Sequence, residues 1–190
     1  MTVQTPLPVR TAFAAVLRCC GTTVRMLLRR RIHQPENHLG MRLHFADGTS
    51  AVVYRETVIE RQPATEPCAL IVCFRLRAVR GRAHAAFRWE SLLNTPLFAG
   101  FSGLVSKLWL ANDERGVYRG VYQWDGPASA AAYARSLWRV LELVSVRGSI
   151  HYQVLPGVLV DDLLSHPPGT GPDAWWRVVG ADARSPSFGR

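Results

Sequence analysis

Lysine is almost missing from this chain: of its 23 basic residues, Lys107 is the single lysine and the rest are arginine. Together with abundant alanine, this is the coding bias of a GC-rich, bacterial genome, and no mechanism is drawn from it. Acid is missing from the N-terminal end, where six arginines precede the first carboxylate, Glu36. Much of the net charge of +9 therefore sits in the first 33 residues. Such a surplus suits nucleic acid or an anionic membrane surface. No recognised nucleic-acid module and no interleaving of aromatic and basic residues accompany it, so no nucleic-acid partner is expected.

Cysteine is sparse. Cys19, Cys20, Cys68 and Cys73 form no CxxC pair, and no histidine lies at zinc-like spacing beside them. They read as small buried hydrophobes in a reducing cytoplasm, with no metal site. No run of eighteen uncharged apolar residues exists, so no membrane-spanning helix is expected. Residues 11–28 approach a signal peptide in apolar character, but Arg18 and Arg25 interrupt them and no small-residue cleavage site follows. The expected location is cytoplasmic.

What is present is the composition of a folded protein, 48% hydrophobic and 19% charged over 190 residues. From Thr11 to about Arg31, Phe13, Val16, Leu17, Cys20, Val24, Leu27 and Leu28 recur at helical spacing, with Arg18, Arg25 and Arg29 on the opposite face. This amphipathic helix suits the inner face of an anionic membrane; docking on its own domain with the arginines in water is the favoured reading. Met41 to Glu60 reads as a β-hairpin turning at Asp47-Gly48, and Gln62 to Pro67 as a linker.

A regular pattern follows. Ala69–Arg77 is a strand and Arg82 to about Asn94 a helix. Leu104–Ala111 and Val117–Trp124 form a hairpin. A long helix starts at Asp125-Gly126-Pro127, with either Asp125 or Gly126 as its cap, and ends at Gly148; Ser149–Leu155 is the last strand. Two βαβ halves joined through a hairpin are the split-βαβ pattern. The expected fold is α+β, a ferredoxin-like βαββαβ antiparallel sheet with two helices over residues 67–157. Residues 1–66 form a helix-plus-hairpin extension and 158–190 a loosely structured tail. In that tail Val158–Leu164 is a short helix or strand, and Trp175 and Trp176 anchor the end.

Lys107-x-Trp109, then Gly120-x-Tyr122-x-Trp124, then Ala130-x-x-Tyr133 resemble the dimeric α/β-barrel superfamily, in particular its YdhR-like branch and the related antibiotic biosynthesis monooxygenases. The resemblance covers roughly residues 68–156. It implies a homodimer in which the helix-free face of each sheet meets its twin, with a ligand pocket between sheet and helices or at the barrel mouth. It also implies oxidation of polyphenolic substrates by oxygen without a cofactor in some members, and haem degradation in others. Haem-degrading relatives place an iron-ligating histidine on the second helix; residues 127–145 contain none, which argues against haem.

The residues supply candidates for such chemistry. Tyr118, Tyr122 and Trp124 share one parity on a strand and, with Trp109, could line a pocket for a flat apolar or aromatic ligand; the same aromatics would suit a dimer interface. His151, or His84, is a candidate base for a phenol or enol. Arg119, Lys107 and Arg75 are candidate stabilisers of the resulting oxyanion, or strand cations reaching for solvent. Three functions fit: a cofactor-independent, monooxygenase-like enzyme using His151, Arg119 and Lys107; a non-catalytic binder of a small apolar ligand, peripheral to a membrane through residues 11–31; and a structural module.

Overall fold

The computed structural model describes residues 6–77, 95–165 and 175–182. The helix expected over Arg82–Asn94, with His84, lies outside them, as do Pro167–Pro172 and Ser185–Arg190. Three helices appear among the described residues: α1 (Val9–Leu28), α2 (Pro127–Val144) and α3 (Val160–Ser165). The strands are β1 (Ile32–His33), β2 (Arg42–Phe45), β3 (Ser50–Ile59), β4 (Pro67–Arg75), β5 (Leu104–Leu110), β6 (Val117–Asp125), β7 (His151–Pro156) and β8 (Val178–Asp182).

All eight strands join one antiparallel sheet in the order β7-β4-β6-β5-β3-β2-β8, with β1 paired to β3. The protein is therefore α+β. The residue boundaries expected at 66 and 158 divide no sheet: β3 from the extension pairs with β5, and β8 from the tail pairs with β2. The hairpin β2–β3 turns where Asp47-Gly48 predicts. Gly48 has φ 79° and the Asp47 carboxylate accepts the Thr49 amide at 3.1 Å.

Gly126, at φ 96°, caps α2 with Pro127 behind it. Asp125 is occupied elsewhere, accepting the amides of Thr65 and Glu66 and pairing with Arg61.

Alternation along each strand gives the sheet two apolar faces. Cys68, Leu70 and Val72 on β4, Trp109 on β5, and Tyr122 and Trp124 on β6 pack beneath α2. Ala69, Ile71, Leu108, Leu110 and Val121 point the other way. The resemblance implied that this second face is bare and meets a twin. It is filled by the same chain instead: Leu43 and Phe45 of β2, Val178 of β8, and Val160 and Leu163 of α3 pack over it, with Trp175 and Trp176 beside them. Ala69, Ile71 and Val121 are fully buried as a result. The extension and the tail together supply the apolar cover expected from a second protomer.

α1 docks through its small residues. Ala12, Val16, Cys19 and Thr23 are its buried positions, and the Cys19 thiol and the Thr23 hydroxyl both reach the Pro96 carbonyl. Gly100 lies so near the helix backbone that a Cβ there would fall 2.1 Å from the Cys19 carbonyl oxygen. Gly21 sits within α1 facing open space. The four cysteines are free thiols, three of them buried.

Candidate functional site

A cavity of about 260 Å³ lies between the sheet and α2. Its walls are almost wholly apolar: Tyr54 of β3, Phe74 of β4, Phe98, Trp109 of β5, Tyr118 and Tyr122 of β6, and Tyr133, Leu137 and Leu141 of α2. Leu143 and Val144, both exposed, also border it and mark its mouth at the C-terminal end of the helix. The volume is a little below the ~300 Å³ at which pockets for drug-sized ligands begin, so it suits a compact molecule.

Lys107 enters this cavity. Strand β5 shifts register between Leu104 and Ser106, after which Lys107 stands opposite Tyr122 and Trp109 opposite Gly120. Two residues apart on one strand, Lys107 and Trp109 face the same side. The lysine Nζ lies 3.1 Å from the Trp109 ring centroid, 4.3 Å from that of Phe98 and 4.8 Å from that of Tyr122. No carboxylate pairs with it among the described residues. Burial, reinforced by the Arg55 guanidinium, drives its pKa well below the ordinary lysine value. The three ring faces pull the other way, since each attracts a cation by about 1 to 2 kcal/mol when water is excluded. Loss of hydration costs several kcal/mol per buried ion, so the depression stands.

The neighbouring hydroxyls are inert as acids. Tyr133 donates to the Tyr122 hydroxyl at 3.3 Å. Burial raises both phenols above their usual range, so each is a neutral donor or acceptor at ordinary pH. Trp109 is held in place by its indole N–H, which donates to Thr57 at 3.2 Å. Arg55 lies 5.1 Å over the same ring and donates to the Thr95 hydroxyl at 2.7 Å.

The structure brings together four of the expected site residues: Lys107, Trp109, Tyr118 and Tyr122 all line the cavity. Tyr118 does so while stacked on Phe74 at 5.8 Å. Of the other three, Trp124 and His151 stand apart, and Arg119 borders the cavity but commits its guanidinium elsewhere. Trp124 is completely buried and packs against Tyr133, 5.0 Å away, as part of the core beside the cavity. Arg119 sends its side chain through the opposite face of β6, where it pairs with the buried Asp113 and, at 2.6 Å, with Asp47, over the Phe45 ring. That guanidinium is neutralised and structural, and it cannot serve as the oxyanion partner expected of it.

His151 is exposed on the edge strand β7, opposite Cys73 and 6.1 Å from Trp175. Cys73 points away from α2, and so does His151. The expected base is therefore on the wrong side of the sheet for this cavity. Arg75, at the end of β4, is likewise exposed. Phe98, Tyr54 and Arg55 were not legible as site residues. Phe98 follows the Pro96 turn, and an irregularity in β3 between Val53 and Arg55 breaks the alternation that would have assigned Tyr54 and Arg55 to a face.

No known protein family matches this sequence, and no curated protein does. Among solved structures, this chain is similar to one from Listeria monocytogenes 4b F2365, with 12% identity and a TM-score of 0.40 over 70% of this chain and 86% of that one. That structure is of an uncharacterized ferredoxin fold protein related to antibiotic biosynthesis monooxygenases.

Proposed function

We propose that this chain is a monooxygenase-like protein of the ferredoxin-like βαββαβ type, whose cavity takes a compact aromatic or polyketide-like molecule bearing an acidic oxygen. The strand order supports the βαββαβ part. Counted from β4, the strands β7-β4-β6-β5 run 4-1-3-2, antiparallel throughout, as two interleaved βαβ halves require. The observation that carries the functional part is Lys107, a buried amine facing an apolar cavity with no carboxylate paired to it among the described residues. A buried charge left unpaired is costly, and a ligand oxyanion would remove that cost.

With its pKa depressed, Lys107 gives up its proton more readily than an exposed lysine, and as the free amine it can take the proton of a phenol or enol. The ammonium so formed lies against the new oxyanion, in a site too dry for water to screen the pair. The anion is the electron-rich form that dioxygen attacks. One oxygen atom replaces two hydrogens of the substrate, and the other leaves with them as water. Lys107 thus takes both roles first divided between His151 and the strand cations, and no cofactor is invoked.

Titration with hydroxylated anthrones and polyphenols tests the proposal. The expected result is the absorption of the bound anion at a pH where the free ligand is still protonated, together with protein-dependent oxygen uptake. Lys107→Met should abolish both. Equal binding of the anion by Lys107→Met would overturn the assignment. Anion binding without oxygen uptake would select the non-catalytic ligand-binding reading, which is favoured by one feature: Tyr122 and Tyr133 in the cavity are held neutral and offer no second base.

A further inference from the structure

α1 carries a surface that the fold leaves uncovered. Three arcs run along this helix. Ala12, Val16, Cys19 and Thr23 form the docked arc. Beside it, Val9, Phe13, Leu17, Val24, Leu27 and Leu28 form an apolar arc that faces away from the protein. Leu17 and Leu28 are 71% and 82% exposed, and the others about half. Arg10, Arg18, Arg25 and Arg29 border that arc on its far side, and none of them takes part in an ion pair among the described residues. The large side chains of the helix therefore point outward, while its small ones make the intramolecular contact.

A large apolar stripe left in water is costly unless something covers it. We propose that the cover is the headgroup region of an anionic lipid bilayer, against which α1 lies parallel to the surface. Charge decides among the occupants. A symmetric pairing of two copies through this stripe would bring the arginine rows together with no acid on either helix, because no acid precedes Glu36. An anionic bilayer meets both arcs at once, with leucine and phenylalanine entering the acyl boundary and arginine contacting headgroup phosphates. By length and composition the 20-residue helix could cross a bilayer, but its docked arc and the Gly100 contact hold it on the domain. A docked helix lies on a membrane rather than through it.

The test is flotation of the full chain with vesicles of phosphatidylglycerol and, separately, phosphatidylcholine. The expected result is uptake by the anionic vesicles only, reversed by high salt or alkaline carbonate. Leu17→Asp/Leu28→Asp, altering two exposed side chains, should lower uptake at least tenfold with an unchanged circular dichroism spectrum. Arg18→Gln/Arg25→Gln should lower it by roughly tenfold or more, since each arginine near an anionic surface contributes about fivefold. Failure to float with anionic vesicles would overturn the proposal, as would equal uptake by parent and Leu17→Asp/Leu28→Asp. So would retention through carbonate, which marks a spanning helix, or a dimer that Leu17→Asp/Leu28→Asp dissociates without any vesicle uptake by the parent.

Discussion

The Nζ of Lys107 stands over the ring of Trp109 at 3.1 Å from its centroid, so among the described residues the chain's one lysine is enclosed by aromatic faces instead of carboxylates. An amine in that setting weakens the fold while equipping the cavity. Lys107→Met keeps the length of the side chain and removes the charge. It should stabilise the protein by about 1 to 3 kcal/mol near neutral pH, at the cost of ligand binding.

The sign of its pH dependence follows from the depressed pKa. Between the folded and unfolded values the unfolded chain binds more protons, so stability of the parent rises with pH over that window. The advantage of Lys107→Met should therefore be largest on the acid side and fade as pH approaches the ordinary lysine value. Urea unfolding of both proteins at several pH values measures this; a gap independent of pH would contradict a buried, depressed lysine.

Gly120 keeps the cavity open. A Cβ at that position would fall 2.8 Å from the Tyr122 ring, and Tyr122 is buried with little room to retreat. Gly120→Ala should cost about 1 to 3 kcal/mol through overpacking and weaken ligand binding as the ring shifts. Thermal unfolding and ligand titration read the two effects separately, and an unperturbed affinity would place the ligand elsewhere.

Arg119 and His151 should behave in opposite ways. Arg119→Met strands the carboxylate of Asp113, whose side chain is fully buried, and should destabilise by about 3 to 5 kcal/mol. His151→Ala, on an exposed edge, should change stability by less than about 0.5 kcal/mol and leave ligand binding and any oxygen uptake intact. A loss of activity in His151→Ala would restore the role first read for it.

Leu163 of α3 covers the face of Ala69, Ile71 and Val121. Leu163→Asp should lift that cover and produce self-association in sedimentation velocity, because the freed face is a continuous apolar sheet surface. An unchanged sedimentation profile would show that α3 is dispensable as cover.

Much of the fold could be read directly. The hairpins β2–β3 and β5–β6 and the central strand β4 announce themselves by alternation and by glycine turns, and α1 and α2 by apolar residues at helical spacing. β8 could not be read, because Val178-Val179-Gly180-Ala181-Asp182 is a short edge segment whose pairing with β2 depends on where the remote hairpin lies. Val158–Leu164 reads as helix or strand alike, because seven residues carry too little periodicity to choose.

Parity placed Tyr118 and Tyr122 on one side of β6, while Arg119, of the opposite parity, was read into the same site; that it instead meets Asp113 and Asp47 on the other face came from the tertiary structure. Local sequence determines strand, helix and face, because those follow from backbone period and side-chain alternation. Only the tertiary structure decided which face holds the cavity, that β2, β8 and α3 seal the other, and that α1 docks by its small residues. Each of these depends on surfaces brought together from distant parts of the chain, and no local period encodes them.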